Sequence, residues 1–236
     1  MGTYSLNIPE KGLTSPSSWG SRKSIADMMS NIVKKYGTYI KFASENSKIP
    51  TEILASFIAV ESGGNPTAGG SGSITQGLMQ WNRTFAKNTL EAEKQLGRLS
   101  QSEEAKLKAY GLTFNSSGKL NRAVSQADQI KPELNIIIGS ILLGQLFDSY
   151  HEGTKKENVW GTDVNGNLRL DRVIAVYNAG AYGDTGKKAR KGNHQSPYTL
   201  AKDVNSTTAS YIAKIYGKNG SMDVATSDAK TAFANI

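Results

Sequence analysis

The sequence of 236 residues contains no cysteine, and its two histidines, His151 and His194, lie far apart in polar surroundings. Without cysteine there is no disulfide, no thiol nucleophile and no thiolate metal site. Two distant histidines disfavour a histidine metal site or a catalytic triad. The missing disulfides leave the compartment open, because many exported proteins also lack them.

Long apolar runs are absent as well. The most apolar stretch, LNIIIGSILLGQLF at 134–147, is too short for a membrane span and includes two glycines and a glutamine. It predicts a buried helix. The first residues carry no basic start followed by an apolar run, so we expect no secretory signal.

The composition, 38% hydrophobic and 20% charged, is sufficient for a sizeable core. The net charge of +8 favours an anionic partner: nucleic acid, an acidic membrane surface or a bacterial cell wall. An equally weighted alternative is a basic soluble protein with no such partner. Basic residues cluster most in KKARKG at 187–192, but no aromatic stacking pattern accompanies them, which makes nucleic-acid binding the weaker interpretation.

Apolar residues recur mostly at helical spacing, which predicts a mainly α protein. We expect an extended arm over 1–23, a domain over 24–217 with a polar insertion at about 83–133, and a polar tail over 218–236 with no core to join. Gly37 is a candidate interruption of the first helix. In the insertion we expect one or two surface helices and a turn or small hairpin at LTFNSSGKLN, residues 112–121. The main helices are expected at Ser24–Ser47, 48–62, 133–150, 168–180 and Ser206–Tyr216.

Glu61 extends the apolar face formed by Phe57 and Ile58 and stands just before Gly63, where the second helix should end. An apolar surface and a helix C-terminus both disfavour the charged carboxylate, so its pKa should rise and suit it to general acid catalysis. A salt-bridged glutamate at a helix end is an equally good interpretation of the spacing alone.

Four further candidate features follow along the chain. A glycine-rich loop at 62–76 leads to GLMQ at 77–80, whose leucine and methionine suit a core. YNAG at 177–180 stands at a helix end, where its asparagine suits a cap. Tyr211 lies on the apolar face of the last helix and suits a core tyrosine.

Taken together and in order, ES, GLMQ, LNIIIGSILLGQL, AVYNAG and TTASYIAKIYG resemble the lytic transglycosylase family, which is related to goose-type lysozyme. The resemblance covers about Lys41 to Tyr216. It implies a lysozyme-like helical fold with a cleft that binds the glycan strands of peptidoglycan. By this resemblance Glu61 is the catalytic acid and base, and Tyr211 supports it. The substrate-binding set is Ser62, Gln80, Tyr177, Asn178 and Tyr211.

The sequence departs from the family in two places. The insertion is longer than usual, and Trp81 and Asn82 follow GLMQ where the family has a different pair. No Asp or Glu occurs between Ser62 and Leu90. Because glycoside hydrolysis generally needs two carboxylates, this favours lytic cleavage to 1,6-anhydromuramic ends. A second acid at Asp128, Asp148 or Asp171 stays open.

The resulting hypothesis is a peptidoglycan lytic transglycosylase with neither a metal nor an organic cofactor. We expect it in a phage virion, in the tail, acting on the periplasmic wall, with virion proteins as partners of its arms. A secretion-system accessory is the alternative setting. The rival functions are a hydrolytic lysozyme of the same fold, an inactive wall-binding or structural virion subunit, and a nucleic-acid-binding protein.

Overall fold

The computed structural model describes residues 9–70, 72–148, 169–180, 183–190, 194 and 196–236. The chain divides into two compact units. We call Ser30–Gln145 with Ala232–Ile236 the central unit, and Met1–Met29 with Leu146–Thr231 the flanking unit. Predictions that fall on 1–8, 149–168 or 191–193, including His151 and the end of the basic cluster, lie outside the described residues.

The described residues are mainly helical, which confirms the predicted fold class. A short 3-10 helix, Ser17–Trp19, precedes the first α-helix, and one hairpin of two short strands interrupts the helices. The elements are α1 (Arg22–Ser47), α2 (Thr51–Ser62), β1 (Thr75–Gln76), β2 (Trp81–Asn82), α3 (Arg83–Gln95), α4 (Gln101–Ala109), α5 (Gln126–Gln129), α6 (Pro132–Asp148), α7 (Leu170–Ala179), α8 (Asp184–Arg190), α9 (Pro197–Asp203), α10 (Ser206–Tyr216), α11 (Ser221–Ala225) and α12 (Lys230–Phe233).

Helix α2 forms the core of the central unit. Pro50 stands at its N-cap position, and Gly63 ends it in the left-handed conformation, with φ of 60°. Every residue from Ile53 to Ala59 is buried. A helix buried on all sides over two turns needs partners all round, and this fixes the position of its C-terminal end.

Gly37 does not interrupt α1, contrary to the sequence-based suggestion. A Cβ at this position would lie 2.6 Å from Cγ2 of Ile236, so the missing side chain admits the end of the C-terminal segment. Glycine inside a helix costs roughly 1 kcal/mol relative to alanine. The 26-residue helix tolerates this cost because its neighbours Ile32, Val33 and Ile40 are buried.

The insertion is bound more closely to the core than the expected surface helices would be. Leu90 of α3 and Leu107 of α4 are fully buried. The polar composition of the insertion suggested exposed helices, but several of its acidic side chains are buried as well. Glu91 is 3% exposed, and Lys87 and Lys119 pair with it.

Glu91 also holds the segment 112–121 in place through a hydrogen bond. Its Oε1 accepts a hydrogen bond from the Leu120 backbone N–H at 3.1 Å. The hydrogen bond from Lys87, against the opposing effect of burial, lowers the pKa of Glu91 to about 2. Within this segment the expected hairpin is a single antiparallel bridge, Phe114 to Leu120. The two-stranded hairpin lies outside the insertion, at 75–82.

In the flanking unit α7 packs against α8, α9 and α10. The described part of the N-terminal segment pairs with the end of α10. The Glu10 N–H donates to the Tyr216 carbonyl at 2.8 Å, and the Ser15 N–H donates to the Lys218 carbonyl at 3.0 Å. Helix α1 begins at Arg22, two residues before the predicted start.

The expectation that the C-terminal tail has no core to join is wrong. Arg22 pairs with Asp223 at 2.7 Å and with Asp228 at 2.5 Å. The tail contributes two short helices, and five of its apolar side chains are buried although aspartate, threonine, serine and lysine separate them. The buried set is Met222, Val224, Ala225, Ala229 and Phe233.

None of the helices within the described ranges combines the length and the apolar character that a membrane crossing requires.

We predict that Phe233→Ala destabilises the protein by about 3 kcal/mol, since Phe233 is 7% exposed and its loss leaves a cavity. The matched control is Phe85→Ala, at a position that is 46% exposed, which should cost well under half as much. Urea unfolding of both variants measures the difference. Equal small effects would mean that the tail is not part of the folded core.

Candidate active site

Glu61 lies in the last turn of α2, one residue before the end of the helix. It is half-buried, as are Val60 and Ser62, so the side chain does not continue the fully buried face as predicted. The buried stretch stops at Ala59 because the helix ends at Gly63 and its last turn reaches the surface. A carboxyl group that is partly shielded and partly accessible can exchange a proton with a bound molecule.

The loop that follows Glu61 is tied to two helices of the central unit. The Ser62 hydroxyl donates to the Ile58 carbonyl at 2.9 Å and accepts from the Gly64 N–H at 3.2 Å. The Tyr36 hydroxyl of α1 donates to the Gly64 carbonyl at 3.0 Å, and burial raises the pKa of Tyr36. Ser62 therefore shapes the end of α2, a role that its predicted place in the substrate site did not include.

GLMQ forms the turn of the hairpin between β1 and β2. In that hairpin Thr75 pairs with Asn82, and Gln76 pairs with Trp81. Leu78 and Met79 are fully buried, in agreement with the alternative interpretation that these two residues belong to the core.

Gln80, by contrast, is half-buried and adopts a positive φ of 49°, which is uncommon for a residue other than glycine. Its side-chain amide donates to the Gly77 carbonyl at 2.9 Å. The turn thus buries its two apolar residues and leaves the Gln80 side chain at the rim.

The glycine-rich loop touches this hairpin. The Gly77 N–H donates to the Ala68 carbonyl at 3.0 Å. Gly69 has a positive φ of 97°, and a Cβ there would stand 3.1 Å from Oε1 of Gln80. The described residues between Glu61 and Gln80 therefore contact one another within the central unit.

Asn135 holds the hairpin and was not predicted as a site residue. It is 0% exposed. Its Oδ1 accepts from the Met79 N–H at 2.8 Å, and its Nδ2 donates to the carbonyls of Gln76 at 3.2 Å and Gln129 at 2.7 Å. The only available signal was a polar residue inside the most apolar stretch of the chain.

The two residues that depart from the family pattern have structural roles. The Trp81 indole N–H donates to the Asn135 carbonyl at 3.0 Å. The Asn82 side chain caps α3 by accepting from the Thr84 and Phe85 N–H groups. Trp81 and Asn82 therefore both stabilise the segment in which the insertion begins.

The other predicted site residues lie in the flanking unit. Tyr177 and Asn178 are half-buried in the last turn of α7, and Tyr211 on α10 is 6% exposed. The Thr208 hydroxyl donates to Oδ1 of Asn178 at 2.8 Å, which links α10 to the YNAG motif. An open pocket of about 400 Å³ lies beside this link. Its polar lining consists of Asn178, Asp184, Thr185, Asn205, Thr207 and Thr208.

Two of the three acids left open as a second carboxylate are engaged elsewhere. Asp171 is 3% exposed and forms a two-point ion pair with Arg169, with bonds of 2.8 and 2.6 Å. Asp128 is 1% exposed and pairs with Arg122 at 2.7 Å. Burial alone would raise the pKa of Asp128, but the hydrogen bonds from Arg122 and Ser125 outweigh it and lower the pKa to about 2. The Asp148 side chain lies outside the described residues.

Within the described ranges, no group of three or more His, Asp or Glu side chains converges as metal ligands would.

A family model for the transglycosylase SLT domain matches residues 38–107. The match contains Glu61, Ser62 and the GLMQ turn. This part of the chain is therefore similar to a transglycosylase SLT domain. The match also runs through 83–107, the first half of the segment that the sequence analysis assigned to an insertion. The remaining predicted residues, Tyr177, Asn178 and Tyr211, lie outside the matched part of the SLT domain.

Among solved structures, the chain is similar to an inactive mutant of the lytic transglycosylase Slt from Pseudomonas aeruginosa, with 16% identity and a TM-score of 0.51. The similarity covers 82% of this chain but 24% of that enzyme, so the chain spans about a quarter of its length. This likeness confirms the expected fold. No curated protein matches the chain.

We predict that Asp128→Asn lowers the free energy of unfolding by about 2 kcal/mol at pH 7 and by much less near pH 2. The folded pKa of about 2 lies below the unfolded value of about 3.9. The ionised carboxylate therefore stabilises the fold above about pH 4, and this contribution is lost as the pH falls through 2. Urea unfolding at both pH values is the measurement, with the exposed Asp27→Asn as control. The same loss at both pH values would contradict the charge-based explanation.

Proposed function

We propose that the protein is a peptidoglycan lytic transglycosylase that cleaves the β-1,4 bond between N-acetylmuramic acid and N-acetylglucosamine. The observation that carries the proposal is the position of Glu61. It stands half-buried at the end of a rigid buried helix, inside the range matched by the SLT family model. The described part of the loop that follows is bonded to Tyr36 through Gly64, and to the turn that carries Gln80 through Ala68.

In the proposed reaction Glu61 acts twice. Its carboxyl proton passes to the glycosidic oxygen, the bond from that oxygen to C1 of muramic acid breaks, and the N-acetylglucosamine part leaves with a hydroxyl group. An oxocarbenium-like state forms at C1, and the neighbouring N-acetyl group stabilises it. The C6 hydroxyl then attacks C1, and its proton returns to the Glu61 carboxylate. The product is a 1,6-anhydro ring, and no water is consumed.

The engaged acids support this route over hydrolysis. An inverting hydrolase needs a second carboxylate to activate water, and a retaining one needs it as nucleophile. Asp128 and Asp171 are both buried in ion pairs with arginine. Releasing either one would leave an uncompensated buried guanidinium or carboxylate, which is costly. A single acid that serves first as donor and then as acceptor requires neither change.

Sugar binding is assigned to the polar groups at the surface of each unit. Gln80 offers a carboxamide in the central unit, and Tyr177 and Asn178 offer a phenol and a carboxamide in the flanking unit. The pocket beside Asn178 is lined by amides and hydroxyls, which suit the hydroxyl and N-acetyl groups of a glycan. The role of Tyr211 stays a prediction from the sequence.

The net charge of +8 suits an anionic wall polymer as partner. The setting in a phage virion, and the alternative in a secretion machine, both stay predictions from the sequence. Mass spectrometry of purified virions from the source would test the first of them.

The main alternative is an inactive wall-binding subunit. It predicts retention on purified peptidoglycan without release of soluble fragments. The half-buried, accessible Glu61 favours the enzyme, because a binding surface does not require an acid at a helix end.

We predict that Glu61→Gln reduces wall cleavage at least about 100-fold while the protein stays folded, because glutamine has no proton to donate. The matched control is Glu52→Gln, in the first turn of the same helix, which should keep activity near that of the parent. Release of soluble fragments from purified peptidoglycan, with circular dichroism as a folding check, measures both. A folded Glu61→Gln variant with substantial activity would exclude Glu61 as the acid.

We further predict that the products carry 1,6-anhydromuramic ends. These ends weigh one water molecule less than reducing ends, so mass spectrometry of digested peptidoglycan distinguishes them. Cleavage in water enriched with oxygen-18 provides the control, since a lytic product takes up no label. Labelled reducing ends as the main product would show that another carboxylate activates water.

A further inference from the structure

One face of α6 carries two residues, Asn135 and Gly139, that both contact the GLMQ turn. They are four residues apart and therefore share a side of the helix. Asn135 binds the hairpin through two main-chain hydrogen bonds, one from the Met79 N–H and one to the Gln76 carbonyl. A third joins it to the Gln129 carbonyl of α5. A Cβ at Gly139 would overlap the Met79 sulfur and would lie 2.9 Å from its Cε. The missing side chain at Gly139 therefore makes the space that Met79 fills.

The turn fits Asn135 closely from the other side as well. Gly77 has a positive φ of 87°, and a Cβ there would lie 2.9 Å from Cγ of Asn135 and would overlap the Gln129 carbonyl. Gln129 in turn donates to the Trp81 carbonyl at 2.7 Å. Both ends of the turn and its middle are thus fixed to α5 and α6.

This arrangement determines where Gln80 stands. Gln80 follows Met79 directly, has the unusual positive φ, and donates its side-chain amide to Gly77. Its position depends on the turn, and the turn depends on Asn135 and Gly139. Apolar packing alone would bury Leu78 and Met79 but would not select one main-chain conformation, whereas an amide with three main-chain partners does.

We propose that Asn135 and Gly139 are positioning residues that hold the Gln80 carboxamide in the place where it contacts the glycan. The contact between Gln80 and the glycan rests on the proposed function. The fixed turn itself does not, so the two parts are separable by experiment.

The helix offers a matched pair of glycines for the test. Gly139→Ala and Gly144→Ala both lie in α6 and gain the same helix propensity. A Cβ at Gly144 meets nothing within 4 Å, whereas one at Gly139 overlaps Met79. We expect Gly139→Ala to raise KM for soluble glycan strands about tenfold, with kcat changed less than about twofold. Gly144→Ala should leave both constants unchanged.

A second variant distinguishes a steric clash with Met79 from a general folding defect. Met79→Ala removes the group that the new methyl would overlap. In the double variant Met79→Ala with Gly139→Ala, KM should return to within about threefold of the value for Met79→Ala alone. Additive losses, or equal KM values for the two glycine variants, would overturn the proposal.

Proton–nitrogen NMR of the full chain provides the readout that is independent of activity. The Gln80 side-chain amide and the Met79 backbone amide signals should shift in Gly139→Ala and stay in place in Gly144→Ala. If these signals move while KM does not, Gln80 does not contact the glycan and the proposal is wrong. If the parent protein neither binds nor cleaves glycan, the proposed function fails, and the Gln80 signal alone decides whether α6 positions the turn.

Discussion

The central unit depends on one buried amide. Asn135 replaces the water that the main chain of the hairpin would otherwise bind at Met79 and Gln76, and it does so from within a largely apolar helix. Each buried donor or acceptor left without a partner costs about 1–3 kcal/mol, so the two bonds to the hairpin make alternative turn conformations unfavourable. The apolar residues of the turn can then be buried while its last residue stays at the rim.

The same logic explains the neighbourhood of Glu61. The helix that carries it is buried on every side, and the loop behind it is held by Ser62 and Tyr36. An acid on a mobile loop would sample many positions, whereas proton transfer needs a donor within hydrogen-bond reach of one oxygen. The rigid helix and the held loop together restrict this side chain, while the break at Gly63 leaves it accessible.

Helical spacing was sufficient to predict α2 and α10, because their apolar residues recur on a regular period. It also indicated that Leu78 and Met79 suit a core. It did not reveal the buried tail, whose apolar residues are few, mostly small and set among polar ones. Nor did it reveal the role of Asn135, because its partners in the hairpin are main-chain atoms 56 and 59 residues away in sequence. Glu61 was expected on a fully buried face, but a helix end is open on one side, and spacing cannot show where burial stops.

The contacts of Glu91 determine how the insertion responds to dissolved salt. The lysines that pair with Glu91 are 40% and 55% exposed, so concentrated salt weakens their attraction, because the Debye length falls to about 3 Å at about 1 M. The bond from the Leu120 N–H to the same carboxylate is part-buried and does not require a mobile ion. The segment 112–121 should therefore stay attached in brine as well as in dilute buffer, held by a peptide group after its counterions have been screened.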